Sequence, residues 1–485
     1  MNRRNYTLHF ALAGALVMLA AAAGRIERWE VTRTVKISDK REVALVPTAP
    51  AVDPPPVVGG DEERDAEVLV RFKPGVSEQR MEQIAASHND RVEDEIESVE
   101  GLTAIDDLDD ANAEQVAAEY ASLPEVEYAE PNFRIKVDPN VSGSFGFSGR
   151  SAASLPAGGP NDPLLGEQWG LVNTGQRNGR AEADISAFAA WDKTQGSREV
   201  VIAVLDSGVD YTHPDLAGNM WHRPDDMEMY RDDQLGVVDD YDGFSSLAEE
   251  RDPMDENGHG THCAGIVGAE GDNNLGITGV NWHVEIMPLK FMGRGGFGST
   301  KDAIEAINYV IARKKDGVNV RVISASWGSP SRSKALEDVI RKAGEADILF
   351  IAAAGNDGAN ADKRPHFPSG YNLPNVLSVA ALDRRDELAS FSNYGAKSVH
   401  VAAPGKEILS TWLDGKYEEH SGTSMATPFV AGVAGLVLSV EPNLSVKELR
   451  DRLINTADKL DSLKGKVSSG GRVNAARAIG AMQIK

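Results

Sequence analysis

The sequence predicts an α/β protein: a doubly wound, mainly parallel sheet with helices on both faces, preceded by a small α+β domain. Three observations predict it. Downstream of residue 162 the chain carries short, continuous runs of β-branched and aliphatic residues, as expected of strands buried on both faces of a parallel sheet. Helical stretches separate those runs, and crossovers between parallel strands are right-handed. Upstream, a segment of about 70 residues alternates strand and helix in a βαββαβ order, the ferredoxin-like pattern.

Taken in order, the chain begins with Asn2-Arg3-Arg4, an apolar run from Leu8 to Ala23, and Gly24. A charged start, an apolar stretch and a small-residue end describe a secretory signal over residues 1–24, or an uncleaved anchor if it is retained. Residues 25–65 are charged and then proline-rich (Val52-Asp53-Pro54-Pro55-Pro56), a linker. Residues 66–137 hold the α+β domain: a strand at Val68–Phe72, an amphipathic helix at Ser77–His88, strand-like sequence from Arg91 to Ile105, a helix at Asn112–Leu123 and a strand from Val126 to Asn132. Residues 138–161, with Ser142-Gly143-Ser144-Phe145-Gly146, form a second, protease-accessible linker and the expected processing site. In the remaining domain, 162–485, strands are expected at Val200–Leu205, Val284–Leu289, Val320–Ala325, Ile348–Ala353 and Val376–Ala381, and helices at Lys301–Lys314 and Ser333–Ala346. Sites in such sheets form at the carboxyl ends of the strands.

Composition narrows the function. The 485 residues, 41% hydrophobic and 26% charged, suit a folded, water-soluble chain of more than one domain. A net charge of −24 argues against nucleic-acid or anionic-membrane partners, and a monomer without stable membrane association after signal removal is expected. One cysteine, Cys263, excludes an internal disulfide framework. The acid-rich interval from Asp225 to Asp255 reads as a solvated, self-repelling face.

The chemistry sits at strand ends. Gly422-Thr423-Ser424-Met425-Ala426-Thr427-Pro428 puts a serine hydroxyl at the start of an apolar helix, with Pro428 expected in its first turn. Serine needs a base to become a nucleophile. His259, between Gly258 and Gly260, is the candidate, and Asp206 at the end of the first strand could hold and charge its imidazole. His259 and His262 stand three apart, without the spacing of four and the glutamate of a zinc-binding HExxH, so His262 reads as a hydrogen-bonded core residue. Asn356, after another buried strand, offers an amide to an oxyanion.

With Asp206, His259 and Ser424 in that chain order, and the motifs DSGVD (206–210), HGTHCAG (259–265), AAAGN (352–356) and GTSMATP (422–428), the sequence resembles the subtilisin family (subtilases) of serine endopeptidases. The resemblance implies a subtilisin-like catalytic domain in which Asp206 orients His259, His259 is general base and then acid, Ser424 is the nucleophile, and Asn356 with the Ser424 amide forms the oxyanion hole. It implies that residues 66–137 are an inhibitory propeptide, so that the chain is a secreted, self-processing zymogen acting on protein and peptide substrates. Cys263 resembles that of the thiol-containing, thermitase- and proteinase K-like branch, though a small buried hydrophobe is its plainer reading. By the same resemblance Ser324, Ser326, Trp327 and Gly328 line one side of the substrate cleft, Ala353 and Gly355 the other, and Gly296 belongs to the opposing strand, with Asp357 and His366 at the pocket rim. Trp327, where many relatives carry leucine, bears on the expected preference for large apolar P1 side chains. A structural calcium ion is implied, held by Asp162, Asp215, Asn273 and the carbonyls of Leu275 and Ile277, with no organic cofactor. A narrow-specificity processing protease and a catalytically silent binding protein remain alternatives.

Overall fold

The computed structural model describes residues 67–108, 112–137, 155, 158–232 and 234–483. The expected signal peptide (1–24), the linker 25–65 and nearly all of the 138–161 segment lie outside the described residues.

Four strands, β1 (Glu67–Phe72), β2 (Asp90–Glu95), β3 (Leu102–Asp107) and β4 (Val126–Pro131), form an antiparallel sheet in the order β2-β3-β1-β4. The strand-like run from Arg91 to Ile105 is therefore two strands. They turn near Gly101, whose φ is 73° and where a Cβ would lie 2.8 Å from the Phe72 carbonyl oxygen. Helices Glu78–Ser87 and Ala113–Ala121 cover one face; the second starts at Asn112, whose side chain accepts from Glu114 N at 3.0 Å. Val68, Val70 and Phe72 pack on those helices through Met81, Ile84 and Tyr120, while Leu69 and Ala104 join the core of the larger domain. The sheet is covered on both faces, so within β1 Val68, Leu69 and Val70 read as a continuous apolar run rather than an alternating one. A fifth strand, β5 (Arg134–Lys136), leaves this sheet.

The larger domain supplies β6 (Gly196–Asp206), β7 (Tyr230–Asp232), β8 (Gly236–Val238), β9 (Phe244–Ser245), β10 (His283–Lys290), β11 (Phe297–Ser299), β12 (Val320–Ala325), β13 (Leu349–Ala353), β14 (Val376–Leu382), β15 (Val401–Pro404), β16 (Ile408–Trp412), β17 (Lys416–His420), β18 (Asp458–Lys459) and β19 (Gly471–Arg472). Nine of them form one sheet, β18-β19-β15-β14-β13-β12-β6-β10-β9, parallel except for the β18–β19 pair. Along β6, Val200, Ile202 and Val204 face helices His259–Gly268 and Thr423–Val440, while Val201, Ala203 and Leu205 face helices Thr300–Lys315 and Lys334–Glu345. Both sides of the strand are core, hence the unbroken apolar run. β6 comes first in sequence yet lies between β10 and β12, so the strand order reverses there and a crevice opens at its carboxyl end. Helix Thr423–Val440 is apolar and long enough to cross a membrane, but 89% of it is buried in this domain, as a core helix should be.

Candidate active site

Asp206 closes β6 and His259 opens the helix His259–Gly268. Their side chains are 1% and 0% exposed, with His259 Nδ1 2.7 Å from Asp206 Oδ1. A proton on Nδ1 shared with a buried carboxylate leaves Nε2 as the ring's basic position. The helix can start against β16 because Gly258 has φ 98° and no side chain; a Cβ there would lie 2.5 Å from the Trp412 ring. His262 Nε2 sits 3.1 Å from the carbonyls of Ile408 and Glu418. Burial pushes its pKa well below the ordinary value, so it is a neutral donor inside the core.

Ser424 is the second residue of helix Thr423–Val440, and its hydroxyl donates to the Ser326 carbonyl at 3.0 Å. Pro428 lies in the sixth position of that helix, beyond the first turn expected from the sequence. Having no N–H, it leaves the Ser424 carbonyl without its helical partner. That carbonyl instead accepts from Ser326 Oγ at 2.8 Å and from the Cys263 thiol at 3.6 Å. Burial pushes the Cys263 thiol well above its ordinary pKa, so it stays protonated and able to donate. Asn356 Oδ1 accepts from Thr423 N at 2.9 Å and Thr423 Oγ1 at 3.0 Å, which fixes the amide orientation. Its Nδ2 is buried without a hydrogen-bond partner among the described residues. A Cβ at Gly422 would lie 3.3 Å from this Nδ2 and 3.5 Å from Ser424 N, so both donors flank one point beside the serine. Thr423, not singled out in the sequence, joins the two loops, its hydroxyl also accepting from Gly355 N at 3.1 Å. Its place directly before Ser424 was the available signal.

The groove beside the serine holds the chain's own strand. β5 pairs antiparallel with β11, Ile135 opposite Gly298; Val137 N donates to Gly296 O at 2.9 Å, and Lys136 bridges to Gly328. Gly296 and Gly328 thus lie on opposite sides of one extended segment. A cleft of about 700 Å³ continues along Ile135, Lys136, Gly328, Asp357, Arg364 and His366. Gly355, with φ 100°, and Gly328 bracket the His366 ring: a Cβ on either would come within 2.9 Å and 2.0 Å of it. His366 is therefore a wall of the cleft rather than its rim. Ala353 and Ser324 are buried in β13 and β12. The Trp327 side chain requires a correction. Its indole is wholly buried, donates to Leu205 O at 2.9 Å and packs 4.8 Å from Phe291, facing the core below the sheet and not the cleft.

Asp162, Asp215 and Asn273 converge as expected. Asp162 accepts from Asp272 N at 2.9 Å and Asn273 N at 3.3 Å; Asp215 accepts from Asn273 Nδ2 at 2.8 Å, Ile277 N at 2.9 Å and the Tyr417 hydroxyl at 3.0 Å. Burial, with Asp215 adding its charge, pushes the Asp162 carboxyl up to about 6. Two buried carboxylates with no cationic side chain among these partners fit a calcium ion, while Asn273 turns its Nδ2 to Asp215 and its Oδ1 accepts from Leu275 N at 2.7 Å. Leu275 is exposed and Ile277 buried; each would contribute only its carbonyl.

A parallel sheet carrying Asp, His and Ser at one strand end and two helix starts, with amide donors beside the serine, defines an α/β serine hydrolase. Comparison with known proteins narrows the class. Residues 197–476 match the subtilase family and residues 58–132 the fervidolysin N-terminal prodomain. The chain is 34% identical over 424 residues to the thermophilic serine proteinase of Bacillus sp. (strain AK1), covering 85% of this chain and 87% of that protein. It is 36% identical to thermitase of Thermoactinomyces vulgaris over 321 residues (66% of this chain, 99% of thermitase), and 38% identical to halolysin of Haloferax mediterranei over 320 residues (66% of this chain, 54% of halolysin). The chain belongs to the subtilase family and is a serine endopeptidase with an N-terminal prodomain.

Proposed function

We propose that the chain is the zymogen of a secreted endopeptidase that cleaves itself within residues 138–161 and hydrolyses peptide bonds through an acyl-enzyme on Ser424. The observation that carries this reading is β5, an extended segment of the chain's own prodomain lying between β11 and Gly328, two residues from the Ser326 whose carbonyl accepts from Ser424. A substrate would add its backbone to the same two edges, with affinity from main-chain hydrogen bonds and selectivity from the cleft walls. For attack, the Ser424 hydroxyl turns from Ser326 O toward His259 Nε2, which takes the proton while Asp206 stabilises the imidazolium. The carbonyl oxygen, gaining charge, moves between Asn356 Nδ2 and Ser424 N, the first of which has no other bond to give up among the described residues. His259 then returns the proton to the leaving amine, and a water repeats the sequence to release the acid.

In this reading residues 1–24 direct export, residues 66–137 inhibit until they are released, and residues 162–485 form the mature enzyme. Asp162, Asp215, Asn273, Leu275 and Ile277 hold a calcium ion, which ties the start of the mature chain to the 272–277 turn and supplies no step of the chemistry. The test is a comparison of wild type with Ser424→Ala on a denaturing gel, with N-terminal sequencing. Wild type should lose the segment before residue 162 and the variant should retain it. Loss in both, or in neither under conditions where wild type hydrolyses casein, overturns self-processing.

A further inference from the structure

We propose that Asp255 is a positioning residue for the Asp206–His259 pair, acting through Ser207; this rests on the roles given above to Asp206, His259 and Ser424. Asp255 lies four residues before His259 and is 4% exposed. Its carboxylate gathers donors from both elements that meet at the site. From the helix start, Oδ1 accepts from Asn257 N at 2.8 Å and Gly258 N at 3.0 Å, and Oδ2 from Thr261 N at 3.0 Å and Thr261 Oγ1 at 2.6 Å. From the end of β6, Oδ1 accepts from Ser207 Oγ at 2.9 Å.

Ser207 carries the connection onward. While donating to Asp255 its hydroxyl accepts from Gly260 N at 3.0 Å, so the residue after Asp206 is bonded to the residue after His259. A second relay runs in parallel, Asp210 N donating to Thr261 Oγ1 at 2.9 Å and Thr261 Oγ1 to Asp255. The elements are also in backbone contact: a Cβ on Gly260 would lie 2.0 Å from Gly208 O and 3.2 Å from the Asp206 Cβ. The bracket thus sets the spacing and angle at which Asp206 meets His259 Nδ1. A carboxylate accepts about four hydrogen bonds, so five donors leave no room for a proton without breaking one. Burial pushes its pKa up; the Thr261 hydroxyl and the amides of Gly258, Thr261 and Asn257 oppose that push. Asp255 touches neither substrate nor the reacting atoms, and its effect passes through His259.

The test uses the processed enzyme with a soluble peptide substrate across pH. Asp255→Asn keeps the shape but cannot accept all five donors. A misplacement on the scale of 1 Å costs up to about 10²-fold, so kcat should fall by about that factor with KM little changed. A looser Asp206–His259 bond stabilises the imidazolium less, so the acidic limb of kcat/KM should move to lower pH. Ser207→Ala, the milder change, should move both readouts the same way, and the double variant should be no worse than Asp255→Asn if the two act as one unit. A lowered melting temperature with wild-type kcat and an unshifted acidic limb in both variants would make the bracket merely structural and overturn the proposal. If Asp255→Asn does not fold, Ser207→Ala alone decides it. If instead wild type shows no acidic limb, or Ser424→Ala retains activity, the underlying assignment of the triad is what fails.

Discussion

Two groups of buried carboxylates in this protein are held in opposite ways. Around the catalytic site, Asp206 and Asp255 lie within one domain and take their hydrogen bonds from amides, hydroxyls and an imidazole. Between the prodomain and the catalytic domain, Glu67, Glu93 and Asp94 crowd one lysine, Lys301 Nζ, at 3.4, 2.9 and 3.9 Å, and Asp94 is hydrogen-bonded to Glu305 of the catalytic domain. One cation cannot neutralise them all, so protons must do the rest. Burial pushes Glu67 up to about 8 and Asp94 up to about 7, and carries the fully buried Glu305 well above its usual range. Glu93 goes down: burial would raise it, but the proton of Glu67 and the charge of Lys301 outweigh burial. Neutral donors fixed by the fold hold a carboxylate in one place, while retained protons make the charge of the interface conditional. The first arrangement suits a site that must survive turnover, the second a contact that must part.

The rest of that interface is built the same way. Glu130 caps the helix Lys334–Glu345, accepting from Lys334 N at 2.8 Å and Ala335 N at 3.1 Å, and Asn132 accepts from Lys301 N at 2.9 Å at the start of the neighbouring helix. Arg71 adds an ion pair to Asp338 at 2.6 Å. Each of these bonds replaces one that water would supply to the separated surfaces.

The largest effect is expected where the donors are fixed. Asn356→Ala removes the buried amide beside Ser424 and should lower kcat about 10²–10³-fold with little change in KM. Because an amide does not titrate, the loss should be the same at every pH. A deficit confined to one pH range would break the contrast drawn above.

At the interface the dependence on pH should be strong and of known sign. Asp94 moves from an ordinary 3.8 to about 7 on burial, so docking of the prodomain takes up a proton between those values. For Asp94 docking is unpenalised below about pH 4, weakens through the interval by roughly tenfold per pH unit and levels off above about pH 7, and Glu67, raised from 4.5 to about 8, carries the weakening on to about pH 8. Glu305, raised for the same reason, acts in the same direction. The lag before full-length chain becomes active, corrected for the pH profile of processed enzyme, should shorten as pH rises. Glu305→Gln should flatten that trend. An equal trend in wild type and variant would show that the carboxylates do not govern release.

The two regions also differ in how far the sequence revealed them. Strands such as β6 were legible because both faces are core, so their apolar runs mark them without knowledge of their neighbours. The residues of the site were legible because glycines and small residues mark where backbone must come close. What was hidden is non-local. Asp255 precedes His259 by four positions, yet half its meaning is the bond from Ser207, which only the meeting of β6 with the helix supplies. β5, at three residues, is too short for any period to show, and β17, Lys416-Tyr417-Glu418-Glu419-His420, carries no apolar pattern. The acidic partners of Lys301 come from a different domain, and nothing in the local sequence points to them.

A smaller effect is expected from calcium. If Asp162, Asp215 and Asn273 hold an ion, saturation at about 100 times Kd stabilises by about 2.7 kcal/mol, and EGTA should lower the melting temperature of processed enzyme by several degrees. Asp215→Asn should abolish the difference. A melting temperature indifferent to both would leave the Asp162–Asp215 pair as a purely protein-held contact, like Asp255 with its own donors.

The smallest effect sharpens the assignment of Trp327. The sequence puts this residue at the substrate cleft; the structure turns its indole into the core, 4.8 Å from Phe291, with its N–H on Leu205 O. Trp327→Phe keeps most of the apolar contact but removes the donor, so about 1–3 kcal/mol of stability should be lost. Selectivity should not follow, because the cleft is walled by Gly328 and His366, with Gly355 against the His366 ring, and the indole lies in the core on the far side. A peptide library varied at P1 should therefore give the same ranking for Trp327→Phe as for wild type, and a changed one for His366→Ala, which empties the space between the two glycines. The reverse result, selectivity following Trp327 and ignoring His366, would mean that the indole leaves the core when substrate binds.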